Sequence, residues 1–277
     1  MNVNEYIDYL TSAPEDEKPL DRIVEGGGLT SIFRTIAVIG DSLASGEFQA
    51  QNAEKTKFTY HDMFDYSWGQ YIAREAGCTV YNFSRGGMTA MEYMKTFGVQ
   101  QNFFDVKKAA QAYIIALGVN DLINRKYPIG KIGDTWDGNV AVDPSEDKTT
   151  FCAFYCALIE RYKQIQPDAK FFLMSMPKGT GEKPEDDEKR AAHNALLHEL
   201  AKKYRNTYVI DLYTYMPQNA GKYRELFYLS GHLNPMGYMF TAKVVMSYID
   251  YIIRHNYEDF IQVPFIGMGV HHYGAKW

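Results

Sequence analysis

The chain is short of cysteine, of net positive charge and of long apolar runs, and it has no internal repeat or low-complexity block. Cys78, Cys152 and Cys156 are its three cysteines in 277 residues. An odd, low number argues against a disulfide framework. Cys152 and Cys156 stand four apart in a helical pattern, without a CxxC or HExxH partner. They are expected to pack as small buried apolar groups, and no metal or cofactor is expected. The net charge of -5 and a pI near 5.8 offer no attraction to a phosphate backbone, so nucleic acid is not an expected partner. No apolar run is long enough for a membrane span. The opening Met1-Asn2-Val3-Asn4-Glu5 lacks a basic stretch followed by an apolar one, so a cytoplasmic location is the expectation. Gly26-Gly27-Gly28 is not followed by the Lys-Ser/Thr of a phosphate loop and reads as a turn.

What is present suits one sizeable core. Hydrophobic residues make up 46% of the chain and aromatics 15%, which is not a disordered composition. A single domain over residues 1–277 is expected, with 1–34 as a lead-in arm carrying a short helix at Val3–Leu10. Residues 257–277 form an apolar tail that packs on the domain or on a second copy of the chain, which leaves a homo-oligomer open.

Short apolar runs at Thr35–Ile39, Thr79–Phe83, Ala112–Leu117, Lys170–Met176 and Thr207–Asp211 read as buried parallel strands. Helical patterns fall between several of them. Phe151, Phe154, Tyr155, Leu158, Ile159, Tyr162 and Ile165 form one stripe. Pro184 opens a helix with Glu185, Asp186, Asp187 and Glu188 in its first turn and Lys202 and Lys203 near its end, matching the helix dipole. Asn234-Pro235 starts the last helix, which runs to about Asn256. Strands alternating with helices imply an α/β fold with a mostly parallel five-stranded sheet covered on both faces. Ligands bind such sheets beyond the carboxyl ends of the strands. That rule selects Gly40-Asp41-Ser42-Leu43, Ser84-Arg85-Gly86-Gly87 and Gly118-Val119-Asn120-Asp121.

Each segment has an ordinary reading and a chemical one. Ser42 is a helix cap or, given a base, a nucleophile. The Gly86-Gly87 pair is a plain turn or a turn that aims an N–H into the crevice. Asn120 is a cap or an amide donor to a developing oxyanion. His232, in Ser230-Gly231-His232-Leu233-Asn234-Pro235, is an idle loop residue or a general base. His193 and His198 are expected on a polar helix face. His61, His255, His271 and His272 are likewise read as solvated or packing residues.

Taken together, these segments resemble the four ordered blocks of the SGNH/GDSL hydrolase family, over roughly residues Thr35 to Asn256. The resemblance implies a flavodoxin-like three-layer α/β/α sandwich. It implies attack on an ester or thioester by Ser42, with His232 as base. It also implies an oxyanion hole of the Ser42 N–H, the Gly87 N–H (or Gly86, one residue away) and the Asn120 side chain. The family carries Asp three residues before the histidine, where this chain has Leu229. A backbone carbonyl is expected to take that role, with Glu225 and Asp211 as the alternatives. Glu47 is a candidate for contact with substrate or with the helix start.

Asn124–Thr149 is long enough to wall or cover a site, or to be a plain insertion. Its Asp134, Asp137 and Asp143 do not follow calcium-loop spacing. The function expected is an esterase on a small-molecule ester, removing acetyl or similar groups from a carbohydrate or other small polar alcohol. A lysophospholipase or acyl-thioesterase on longer chains is the enzymatic alternative. A non-catalytic ligand-binding domain is the other.

Overall fold

The computed structural model of the chain describes residues 2–11, 13–54, 56–136, 138 and 149–267. Asp137 and Asp143 lie outside the described residues, as do the other residues of 139–148. Five parallel strands form the central sheet: β1 (Thr35–Gly40), β4 (Thr79–Asn82), β5 (Ala112–Ala116), β6 (Lys170–Met174) and β7 (Thr207–Ile210), in the order β4-β1-β5-β6-β7. Between β1 and β4 lies an antiparallel hairpin of β2 (Glu47–Gln51) and β3 (Phe58–Asp62). A second, two-residue hairpin joins β8 (Tyr228–Leu229) to β9 (His232–Leu233).

The sheet strands are apolar on both sides because both sides are covered. Successive side chains point to opposite faces. Ala37 and Ile39, Tyr113 and Ile115, and Phe171 and Leu173 enter one core cluster. Ile36 and Val38, Ala112 and Ile114, and Phe172 enter the other. The helices are α1 (Val3–Thr11), α2 (Ser42–Ser45), α3 (Trp68–Ala76), α4 (Phe151–Ile165), α5 (Pro184–Lys203), α6 (Gly221–Phe227) and α7 (Pro235–His255). α4 and α5 pack on the first face, where Leu158, Tyr162, Leu197 and Leu200 are buried. α3 and α7 pack on the second, through Trp68, Ile72, Val245 and Ile249. Side-chain caps set the starts of three helices. Ser67 accepts from Gln70 N–H, Thr150 from Ala153 N–H, and Asn234 from Gly237 N–H just before Pro235.

The two ends of the described chain lie against this body. Tyr9 Oη donates to Asp250 Oδ2 at 2.8 Å, and Arg254 joins Asp250 to Glu17. Pro264 and Ile266 offer their carbonyls to Gln111 and Gln166. Phe260 stacks near Phe172, with Phe33 edge-on to both. Among the described residues no helix is long and apolar enough to cross a membrane.

Phe172 is fully buried on β6 beneath these rings. Phe172→Ala is expected to lower unfolding stability by about 3–5 kcal/mol, the usual cost of a large cavity. Reversible urea unfolding checks this. A loss below 1 kcal/mol would mean that the tail does not pack against β6 as described.

Candidate active site

β1 ends at Gly40, where a side chain would strike Ala44 and the Ala116 carbonyl. The chain can therefore turn tightly into α2. Asp41 is extended and caps the turn, accepting from Leu43 N–H at 3.0 Å. α2 is a single turn, ended by Gly46 at φ 81°. Ser42 thus sits at the first position of a helix, where the backbone N–H has no intrahelical acceptor. Gly87, after β4, has φ +72° and open space where a side chain would lie. Among the described residues the N–H groups of Ser42 and Gly87 have no hydrogen-bond partner.

Asn120 follows β5 in a widened helical turn, Val119–Asn124, entered through Gly118 at φ 140°. Its Nδ2 donates to Asp41 Oδ2 at 3.3 Å and to the Met88 carbonyl at 3.2 Å, while its Oδ1 accepts from Asn124. The amide thereby links the serine turn, the glycine turn and its own loop. Next to it, Asp121 is fully buried and accepts from Ala90 N–H. Burial pushes the Asp41 carboxyl up to about 7, against the Leu43 hydrogen bond and with the Glu47 charge adding. Burial raises Asp121 to about 7 as well, opposed by Ala90 N–H and reinforced by Asp41.

His232 arrives on β9, directly opposite Leu229 in the small hairpin. The hairpin is pinned by Gln49 Oε1, which accepts from Gly231 N–H at 2.8 Å. Tyr60 lies edge-on to the imidazole at 5.8 Å and is itself half exposed. His232 Nδ1 is buried without a hydrogen-bond partner, and Nε2 is 3.0 Å from Glu47 Oε1. No backbone carbonyl takes Nδ1. Nor do the two carboxylates considered as alternatives reach it. Asp211 caps the short helix Leu212–Tyr215 and bonds Asn194 and His198, whereas Glu225 is exposed on α6.

Glu47 opens β2, and its carbonyl accepts from the buried Tyr238 hydroxyl of α7 at 2.7 Å. Its carboxylate leaves no room for a side chain at Gly86: a Cβ there would stand 2.3 Å from Oε2 and 4.0 Å from Ser42 Cβ. Gly86 thus admits Glu47, while Gly87 has the left-handed turn; among the described residues neither N–H has a hydrogen-bond partner. Burial raises the Glu47 carboxyl, with Asp62 adding, and burial lowers the His232 imidazole, with Asp62 opposing. The lowered imidazole is neutral at neutral pH, so its Nε2 can donate to Glu47 as a neutral N–H.

His193 departs from the expectation of a polar, solvated face. It is fully buried beneath Gly118 and edge-on to Phe151, and burial lowers it to about 4. The hairpin β2–β3, which supplies Glu47, Gln49 and Tyr60, has no counterpart in the sequence reading. β3 is exposed throughout and β2 fully buries only the polar Gln49, so they lack the apolar periodicity by which strands are read. The aromatic and β-branched run Phe58-Thr59-Tyr60 was the available signal.

A three-layer sandwich whose strand ends carry a serine turn and a histidine hairpin around one crevice is an architecture of ester-cleaving hydrolases. The sequence profile of the GDSL-like Lipase/Acylhydrolase family matches residues 38–240, and the chain belongs to that family. No curated protein matches it. Its fold is similar to that of a family two carbohydrate esterase from Clostridium thermocellum, solved in complex with cellohexaose. The identity is 17% and the TM-score 0.55, covering 88% of this chain and 66% of that one. A Corynascus thermopiles carbohydrate esterase family 2 enzyme gives 17% and 0.53, covering 79% and 66%. This chain thus spans just under two thirds of either esterase. A Lactobacillus plantarum protein gives 18% and 0.57, covering 79% and 97%.

Asp41 and Asp121 hold protons more tightly folded than unfolded, where Asp titrates near 3.9. Their contribution to stability is fully present below about pH 4 and is lost as pH rises through about 7. In urea unfolding from pH 4.5 to 8, Asp121→Asn should show a shallower decline than wild type. Equal slopes would remove Asp121 from this account.

Proposed function

We propose that the chain is a short-acyl esterase that works through an acyl-enzyme on Ser42. Ser42 Oγ attacks the ester carbonyl as His232 takes its proton. The oxyanion is met by the N–H groups of Ser42 and Gly87 and by Asn120 Nδ2, which exchanges one of its present acceptors for the substrate oxygen. His232 then protonates the departing alcohol, and water repeats the sequence on the acyl-enzyme. The observation that carries this reading is that the N–H groups of Ser42 and Gly87 have no hydrogen-bond partner among the described residues, while the Asn120 amide bonds Asp41 beside Ser42 and the Met88 carbonyl beside Gly87.

A cavity that reaches Asp41 and Leu43, on either side of Ser42, supports a short acyl group. It measures about 160 Å³ and is lined by Leu43, Ala44, Ala116, Leu117, Met174 and Met176, with Lys178 and Arg190 also on its wall. Pockets for drug-sized ligands run to roughly 300–1,000 Å³. An acetyl group or a slightly longer one suits this volume; a fatty acyl chain would need a groove. The exposed ring of Tyr60 beside His232 offers a flat wall for a sugar or other small polar alcohol.

Hydrolysis of p-nitrophenyl esters from acetyl to long chains tests the reading. Activity should peak at acetyl and vanish in Ser42→Ala; a peak at long chains would favour a lysophospholipase or thioesterase. Unchanged activity in the variant would favour a ligand-binding domain. Asn120→Ala should lower kcat by about 10²–10³-fold, the usual loss of one oxyanion donor. The acid limb of kcat/KM should fall below pH 6.5, because burial lowers the base. A limb above 6.5 would contradict this.

A further inference from the structure

The carboxylate that the family places three residues before the histidine is replaced here by Leu229, which is exposed and paired across the hairpin with His232. Yet a carboxylate does meet the imidazole, from a different element. Glu47 Oε1 stands 3.0 Å from His232 Nε2, with both side chains only 16% exposed. Three features hold it there. Gly46 ends α2 in the left-handed conformation, so β2 can turn back along the crevice. Tyr238 Oη fixes the Glu47 carbonyl at 2.7 Å. Gly86 leaves the space that Oε2 occupies.

We propose that Glu47 is the acidic partner of His232, a positioning residue that orients the base and compensates its charge in place of the missing Asp. The inference rests on the esterase reading of Ser42. A carboxylate that accepts one imidazole N–H fixes the tautomer and steadies the imidazolium formed when the nucleophile loses its proton. With the proton of neutral His232 held on Nε2, the lone pair lies on Nδ1. That nitrogen is buried and has no hydrogen-bond partner, Ser42 Oγ included; on this proposal it receives the Ser42 proton once substrate brings the two together. The proton passes from Ser42 Oγ to the imidazole and on to the leaving alkoxide; Glu47 stays ionised throughout. Other groups around the pair have partners of their own. Asp62 accepts from Ser45 Oγ at 2.7 Å, Asp41 caps α2, and the Tyr60 hydroxyl accepts from Gln49.

The test compares wild type, Ser42→Ala and Glu47→Gln on p-nitrophenyl acetate. Melting temperatures confirm that each folds. Glu47→Gln keeps the shape and removes the charge. It should lower kcat by about 10²–10⁴-fold with KM within a few-fold. Its acid limb should move to lower pH, because an imidazolium without its carboxylate is less stable. Wild-type kcat and an unmoved acid limb in Glu47→Gln, with Ser42→Ala inactive, would overturn the role of Glu47 and leave the esterase reading intact. Inactive wild type would instead sink the esterase reading on which it rests.

Discussion

The buried carboxylate of Asp41 is the interaction on which the crevice depends. One oxygen caps the single turn that presents Ser42, and the other accepts from the Asn120 amide. That amide also holds the Met88 carbonyl, just past the glycine turn. Three loops from β1, β4 and β5 are thus joined through one desolvated carboxyl. In water such bonds would compete with solvent. Here burial makes each bond stronger and each unmet group more costly. The same burial raises the Asp41 pKa, so an arrangement useful for orienting donors is strained at neutral pH.

The histidine side of the crevice is built differently. His232 does not rest on the sheet; it is carried by a two-residue hairpin that is braced from a second hairpin. Gln49 reaches from β2 to Gly231 and also donates to Tyr60 on β3. Tyr238, at the start of α7, secures the Glu47 backbone and so ties β2 to the helix layer. His232 is therefore placed by contacts between surface elements, while Ser42 and Asn120 are placed by strands buried on both faces.

Much of this was legible beforehand, and the reason is burial. The five sheet strands are short apolar runs because both their faces are covered, and each appears within a residue or two of its expected bounds. The stripe from Phe151 to Tyr162 marks α4 for the same reason, and Asn234-Pro235 marks the start of α7 through the cap itself. The serine, glycine and asparagine segments stood out because each directly follows such a strand. The β2–β3 hairpin was missed because β3 is exposed throughout and so leaves no periodic trace. His193 was misplaced because α5 is polar along most of its length, and only the tertiary contact with Gly118 and Phe151 removes that one ring from water.

The sequence by itself determined the α/β sandwich and the strand ends that carry Ser42, Gly87 and Asn120, since local pattern and strand order suffice to specify them; His232 was marked by the family resemblance. The sequence also showed that the usual aspartate is absent. Which carboxylate stands in its place was decided only by tertiary structure. Asp211, Glu225 and Glu47 look alike as letters, and their distances along the chain from His232 carry no information about contact. Asp211 is drawn into a helix cap and Glu225 turns to solvent. Glu47 reaches the imidazole because a left-handed glycine, a bare glycine and a buried tyrosine hydroxyl, from three separate parts of the chain, leave its side chain that one space.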